Sequence, residues 1–268
     1  MPKPPQRKTE WKDQYTLLCE SCGYILENLN HSLPCPECGK PIQESLPQRR
    51  TGTPIQHWYT SKNARKTWWM TLRHPFKMLD IMRFNLNDHE DIASTNIIIA
   101  LAAPALILLA FTALDSIISV LLLFFGYIFL LPLAWGFLLL MTTTDSFIIR
   151  FFGNRKGFRI SHAISNNIVA HGSVGWIIAG LGSSIGILFI FAPYIITVRI
   201  FDMYETTQHN QILQNLKSFG SWLIPISILG GILFFESFAY LGIRRCKYAN
   251  TLRPKSTPES TLPNEPRP

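Results

Sequence analysis

Residues 96–141, NIIIALAAPALILLAFTALDSIISVLLLFFGYIFLLPLAWGFLLLM, contain one charged side chain, Asp115, in forty-six positions. As a single helix the run would be about 69 Å long at 1.5 Å per residue. The hydrocarbon core of a bilayer is only about 30 Å thick. The run therefore has to fold back, and Asp115 with Ser116, near its middle, is the natural turn. We expect a first span near 95–114 and a second near 117–141.

Downstream, residues 142–160 read as a basic loop carrying Arg150, Arg155, Lys156 and Arg159. The following ISHAISNNIVAH, residues 160–171, is too polar to span. Ser161, His162, Ser165 and Asn166 share one helical face, and Ile160, Ala163, Ile164 and Ile168 share another, as in an interfacial helix or a helical lead-in to a span. Gly172 and Gly175 loosen the chain before a third span near 174–198. A polar loop over 199–218 and a fourth span near 219–243 complete the count, with a fifth only if 158–172 inserts. Each span carries one proline, Pro104, Pro132, Pro193 or Pro225, read as a kink that neighbouring helices accommodate.

Charge agrees with four. Thirteen Lys and Arg precede residue 91, four lie in 142–160 and six follow residue 243. The Asp115 turn has none, and 199–218 has only Arg199 and Lys217. An even count keeps both basic ends on the cytoplasmic side, as the positive-inside tendency requires. The net charge of +8 is then retained membrane charge rather than a nucleic-acid footprint. The first apolar stretch begins near residue 92, so no signal peptide is expected. We divide the chain into a disordered tail (1–16), a cysteine module (17–46), a basic linker (47–91), a membrane domain (92–245) and a disordered proline-rich tail (246–268). The expected location is a bacterial cytoplasmic membrane, with both termini in the cytoplasm.

The module LCESCGYILENLNHSLPCPECGK, residues 18–40, sets Cys19, Cys22, Cys35 and Cys38 in two Cys-x-x-Cys-Gly steps. Four thiolates close a tetrahedral shell around Zn²⁺ with no open position, which makes a structural rather than a catalytic site. Gly23 and Gly39 suit the tight turns that aim backbone N–H groups at sulfur. Two such knuckles make a small β zinc ribbon, and metal ligation, on the order of 10 kcal/mol, must supply most of its folding free energy. A redox Cys-x-x-Cys would need a surrounding βαβ domain, which some thirty residues cannot form. Between the pairs, residues 24–34 hold Glu27 and no Lys or Arg, which speaks against nucleic acid. His31 reads as a solvated turn residue.

In the linker, Lys62, Arg65, Lys66, Arg73, Lys77 and Arg83 face a single acid, Asp80, from residue 62 onward. Trp68, Leu72, Phe76 and Leu79 fall on one helical stripe, and Pro75 can open a second helix after His74. Such an amphipathic segment beside a span suits anionic lipid at residues 62–83. SLPCPECGKPIQESLPQRRTGTPIQ (32–56), followed by TLRHPFKMLDIM (71–82), resembles bacterial membrane proteins that join a zinc ribbon to a Yip-like bundle. The resemblance is one of layout, over residues 17–245. It implies a short proline-bearing amphipathic helix ahead of the spans. Yip-like bundles usually have five spans, whereas four are counted here. The acidic Leu-Tyr-Gly-Pro signature of eukaryotic members is absent, so no binding to small GTPases is implied.

Gly182-Ser183-Ser184-Ile185-Gly186 matches G-x-S-x-G but lies in an apolar helix, not a strand–turn–helix. Gly182 and Gly186 read instead as close helix packing. No other catalytic set stands out, and we expect no enzyme. The intramembrane carboxylates Glu236 and Asp145, with His162 and His171 near the third span, offer an ion path or a polar rim cluster. Cys246, between Arg245 and Lys247, reads as an inert thiol or an acylation site. The expected fold is thus an all-α multi-pass bundle with a small β ribbon. Its expected role is non-catalytic docking of a cytoplasmic protein partner or organisation of the bilayer. A small transporter is the alternative, and a membrane-tethered nucleic-acid binder is a third reading.

Overall fold

A computed structural model describes residues 15–84, 90–113, 117–195 and 207–252. The tails before residue 15 and after residue 252 lie outside the described residues. So do the Asp115–Ser116 turn and most of the connection before the fourth span.

The cysteine module forms two knuckles followed by short 3-10 turns at Ile42–Ser45 and Pro47–Arg49. The expected β ribbon is not seen as strands. Among the described residues there are only isolated antiparallel bridges, Leu18 with Ile25 and Pro34 with Pro41, one across each knuckle. Each knuckle spends its backbone groups on its own turn, which leaves no ladder to extend. The linker holds three helices, α1 (Pro54–His57), α2 (Ser61–Arg73) and α3 (Pro75–Ile81). Proline opens α1 and α3, where a missing N–H costs nothing. Thr60 caps α2 by accepting the N–H of Asn63.

Beyond the linker come α4 (Glu90–Ala113), α5 (Ile117–Arg155), α6 (His162–Gly172), α7 (Val174–Ile195) and α8 (Thr207–Arg245). Four segments are long and apolar enough to cross a bilayer: Ile92–Phe111, Ile128–Arg155, His162–Pro193 and Gln211–Arg245. The four prolines lie inside α4, α5, α7 and α8, one in each. Two expected loops are shorter than the sequence suggested. The stretch 142–155 continues α5, which at 39 residues is about 58 Å long. Residues 207–218 likewise extend α8. Of the two expectations for 160–171, the structure has the lead-in: only Ser173 separates α6 from α7.

The helices pack in the order α5, α4, α7, α8, with α7 against α8 the most extensive pair and α5 scarcely touching α8. Glycine makes the central pair close. A Cβ on Gly231 would sit 2.4 Å from the Gly175 carbonyl oxygen, and one on Gly186 would sit 2.9 Å from that of Gly220. Gly182 meets Ser227 in the same antiparallel register. Small residues at these positions let two backbones approach, which is how helices associate where no water drives them together. Ser184, the serine of the G-x-S-x-G match, donates its hydroxyl to the Gly180 carbonyl within α7 (2.8 Å).

One apolar core joins the linker to the bundle. Met78 and Leu79 of α3 share it with Ile164 and Ile168 of α6 and with Phe235 and Phe238 of α8. The expected linker stripe is therefore divided: Leu79 is buried and Trp68 half-buried, whereas Leu72 and Phe76 are exposed beside Trp69.

The α7–α8 contact gives a matched test. Gly231→Ala should destabilise the detergent-solubilised protein by about 1–3 kcal/mol through overpacking, read as a lower thermal midpoint. Gly230→Ala, whose Cβ meets nothing within 4 Å, should be neutral or stabilising by about 0.5–1 kcal/mol. Equal effects at the two sites would contradict the packing.

Candidate metal centre and its mounting

The four sulfurs of Cys19, Cys22, Cys35 and Cys38 all lie within 4.8 Å of one another. Cys19 Sγ is 3.5 Å from Cys38 Sγ, and Cys22 Sγ is 3.7 Å from Cys35 Sγ. A disulfide would need about 2.05 Å, and all four cysteines are free thiols. Metal–sulfur bonds of about 2.3 Å in a tetrahedron put the sulfurs about 3.8 Å apart. The pocket of thiols thus fits a single tetrahedral ion. His31 is exposed and outside the cluster.

The knuckles repeat each other bond for bond. Cys19 N–H donates to the Tyr24 carbonyl and Gly23 N–H to the Cys19 carbonyl, both 2.8 Å. Cys35 N–H donates to the Lys40 carbonyl (2.8 Å) and Gly39 N–H to the Cys35 carbonyl (2.9 Å). Closing each turn takes a positive φ, +82° at Gly23 and +74° at Gly39, which glycine adopts without strain. The same turns aim donors at sulfur. Burial raises the Cys19 thiol, but the N–H groups of Cys22 and Ser21 and the thiols of Cys38 and Cys22 outweigh it and bring it down to about 7. Desolvation pushes the thiols of Cys22 and Cys38 upward.

The module is tied to the rest of the chain by buried polar bonds. Asn250, inside what was read as a disordered tail from residue 246, accepts the Leu18 N–H (2.9 Å) and donates to the carbonyls of Leu18 (2.8 Å) and Ser45 (2.6 Å). Arg159 donates to the carbonyls of Thr16 and Ala249 and to Asn250 Oδ1. Arg50, 5% exposed, grips Glu20 through both carboxylate oxygens at 3.0 Å. Its third nitrogen reaches the carbonyls of Leu79 (2.7 Å) and Met82 (3.3 Å) on the linker. The Tyr248 ring lies on Gly23, within 2.9 Å of where a Cβ would stand.

The linker is fastened in turn to α6. Gln56 Oε1 accepts the N–H groups of Thr53 and Arg83, while its Nε2 donates to Arg83 O (2.8 Å) and Asn167 Oδ1 (3.2 Å). His171 Nδ1 faces the Asn167 carbonyl at 2.8 Å and so carries the proton, which leaves Nε2 to accept from Thr53 Oγ1 at 3.3 Å. Trp68 Nε1 donates to Asn96, whose Nδ2 donates to Ser173.

The carboxylate candidates are partly brought together. Asp145 on α5 lies within electrostatic reach of Glu236 on α8. Asp145 Oδ2 is buried with no hydrogen-bond partner among the described residues. His171 is occupied by Thr53 and Asn167, and His162 is exposed against Asn166. Cys246 is fully buried against the Leu79 carbonyl, and burial pushes its thiol up to about 11, so it is a packed, protonated core group rather than an acyl acceptor. The residues that sequence reasoning missed are Asn250, Arg159 and Arg50. Their partners lie 29 to 232 positions away, and no local pattern marks them.

The glycines test the site. Gly39→Ala should weaken metal binding through φ strain alone, about 1–2 kcal/mol. Gly23→Ala adds a clash with Tyr248 and should weaken it further, as read by competition with a chromophoric chelator. Because each thiol must lose a proton to bind, affinity should fall as the pH drops below the thiol range. No protein-family model, curated protein or solved structure matches the chain.

Proposed function

We propose that this chain is a non-catalytic integral membrane protein. In this reading a structural zinc ion clamps the cysteine module into a zinc ribbon, a rigid knob at the cytoplasmic end of a Yip-like bundle, and the knob docks a protein partner. The observation that carries the reading is a closed four-sulfur cluster bolted to the helices by buried polar bonds. A closed shell leaves the ion no position for substrate. A firm mount transmits force or position between the knob and the bundle, which a free tether would not. The knob also presents Tyr24, Ile25 and Leu33 to solvent, Leu33 at 55% exposure. Exposed apolar side chains on a small module are what a docking face needs. The exposed Trp69, Leu72 and Phe76, beside Arg73 and Lys77, fit an anionic lipid surface under the same reading.

A photo-crosslinker at Leu33 should give discrete protein adducts in cells, and Cys35→Ser, which opens the metal shell, should abolish them. No adduct, or adducts that survive Cys35→Ser, would contradict the docking role.

One observation favours a second reading, a small transporter. Asp145 Oδ2 is buried without a partner among the described residues, and Glu236 acts on the same carboxylate. Paired carboxylates within apolar helices can hold a proton or a cation. Ion or proton flux in liposomes that vanishes on Glu236→Gln would establish this alternative. The docking account predicts no flux.

A further inference from the structure

Between the cysteine module and the C-terminal end of α8 lies a cleft of about 320 Å³. Six cationic side chains line it against three carboxylates. The carboxylates are all committed. Glu20 is held by Arg50 at 3.0 Å, Glu44 faces Lys40 and Arg49 at 3.7 Å, and Asp80 takes Arg245 at 2.6 Å. Arg244 and Lys247 are left without a carboxylate among the described residues. They lie instead over aromatic rings, Arg244 over Tyr240 at 5.5 Å and Lys247 over Tyr248 at 5.3 Å.

The bland explanation for cations at this place is the helix dipole, and it falls short. The C-terminal end of α8 offsets only about half a unit charge, whereas the lining carries a surplus several times larger. None of the four cluster cysteines lines the cleft. A concave wall focuses the remaining field on the space it encloses. At about 320 Å³ that space has room for a tetrahedral anion and more. A guanidinium fork and an ammonium are the two side chains best suited to phosphate oxygens, and Ser21 adds a hydroxyl on the opposite wall.

We propose that this cleft binds a phosphate-bearing anion, gripped by Arg244 and Lys247 between the bundle end and the cysteine module. Arg244 and Arg245 end the fourth apolar segment, so the phosphate can arrive as a lipid headgroup or as a soluble ion. The site goes beyond the docking role and rests on different residues.

The test uses the metal-loaded full chain in zwitterionic detergent, titrated calorimetrically with inorganic phosphate, dihexanoyl phosphatidylglycerol and dihexanoyl phosphatidylcholine. The choline lipid should bind at least about tenfold more weakly than the better anion, and Arg244→Gln with Lys247→Gln should lower that anion's affinity about tenfold or more. Ser21→Glu, which adds a negative charge at the exposed lip and leaves the cations in place, should do the same. Arg155→Gln with Lys156→Gln, exposed where α5 ends and outside the cleft, should change nothing. Binding of the glycerol lipid alone assigns a headgroup, and binding of inorganic phosphate of equal strength assigns a soluble ion. The proposal is overturned if neither anion binds, if both cleft variants bind as the parent does, or if the α5-end variant loses as much as they do.

Discussion

Two stretches of backbone 232 residues apart meet in the interior of this protein, and one amide and one guanidinium satisfy both. Buried peptide groups must find partners or cost about 1–3 kcal/mol each. Leu18, Ser45, Thr16 and Ala249 find theirs in Asn250 and Arg159. Much else follows from this junction. It fixes the cysteine module on the end of the bundle, seats Tyr248 on the first knuckle and turns the α8 terminus toward Lys40 and Arg49. It also brings the described ends of the chain to the same end of the helices, which an even number of crossings requires.

The four-thiol cluster and the polar junction have separate parts. A module of about thirty residues has a core of little more than Leu26, Ile42 and its own cysteines, so an ion on the four thiols would be what holds the knuckles closed. Ligation says nothing about where the knob points. That is set by Arg50, which faces Glu20 on one side and the carbonyls closing α3 on the other. The linker thereby acts as a bracket rather than a tether. Its α3 enters the same apolar core as α6 and α8, and its Gln56 and Thr53 are spent on α6.

What the sequence makes legible is whatever depends on local composition. Charge-free runs mark the four apolar segments, prolines fall inside them as expected, and Cys-x-x-Cys-Gly foretells both knuckles and their positive-φ glycines. Helix ends were misjudged where charge was taken for a loop. The end of α5 carries Arg150 and Arg155, yet these stay helical by laying their guanidinium groups on Phe147 and Phe151, three and four residues back. That spacing was readable, but a hydropathy argument places helix ends at the membrane boundary and α5 runs past it. The polar residues of α6 are a second case: of the expected polar face His162 is exposed and Ser165 is buried, and Asn167 and His171 outside that face are buried too. Ser165, Asn167 and His171 are fully buried, and their partners sit on α5 and the linker. Polar residues satisfied from distant segments look in a sequence like residues facing water.

The most direct test of the mount is amide hydrogen exchange across residues 15–52 in the metal-loaded protein, compared between the parent and Asn250→Ala. With the junction broken and the shell intact, the amides of Leu18, Glu20 and Arg50 should exchange faster while the protein keeps its ion. Unchanged protection in that variant would mean that the module is held by its metal alone, and the account of a knob fixed to the bundle would be wrong.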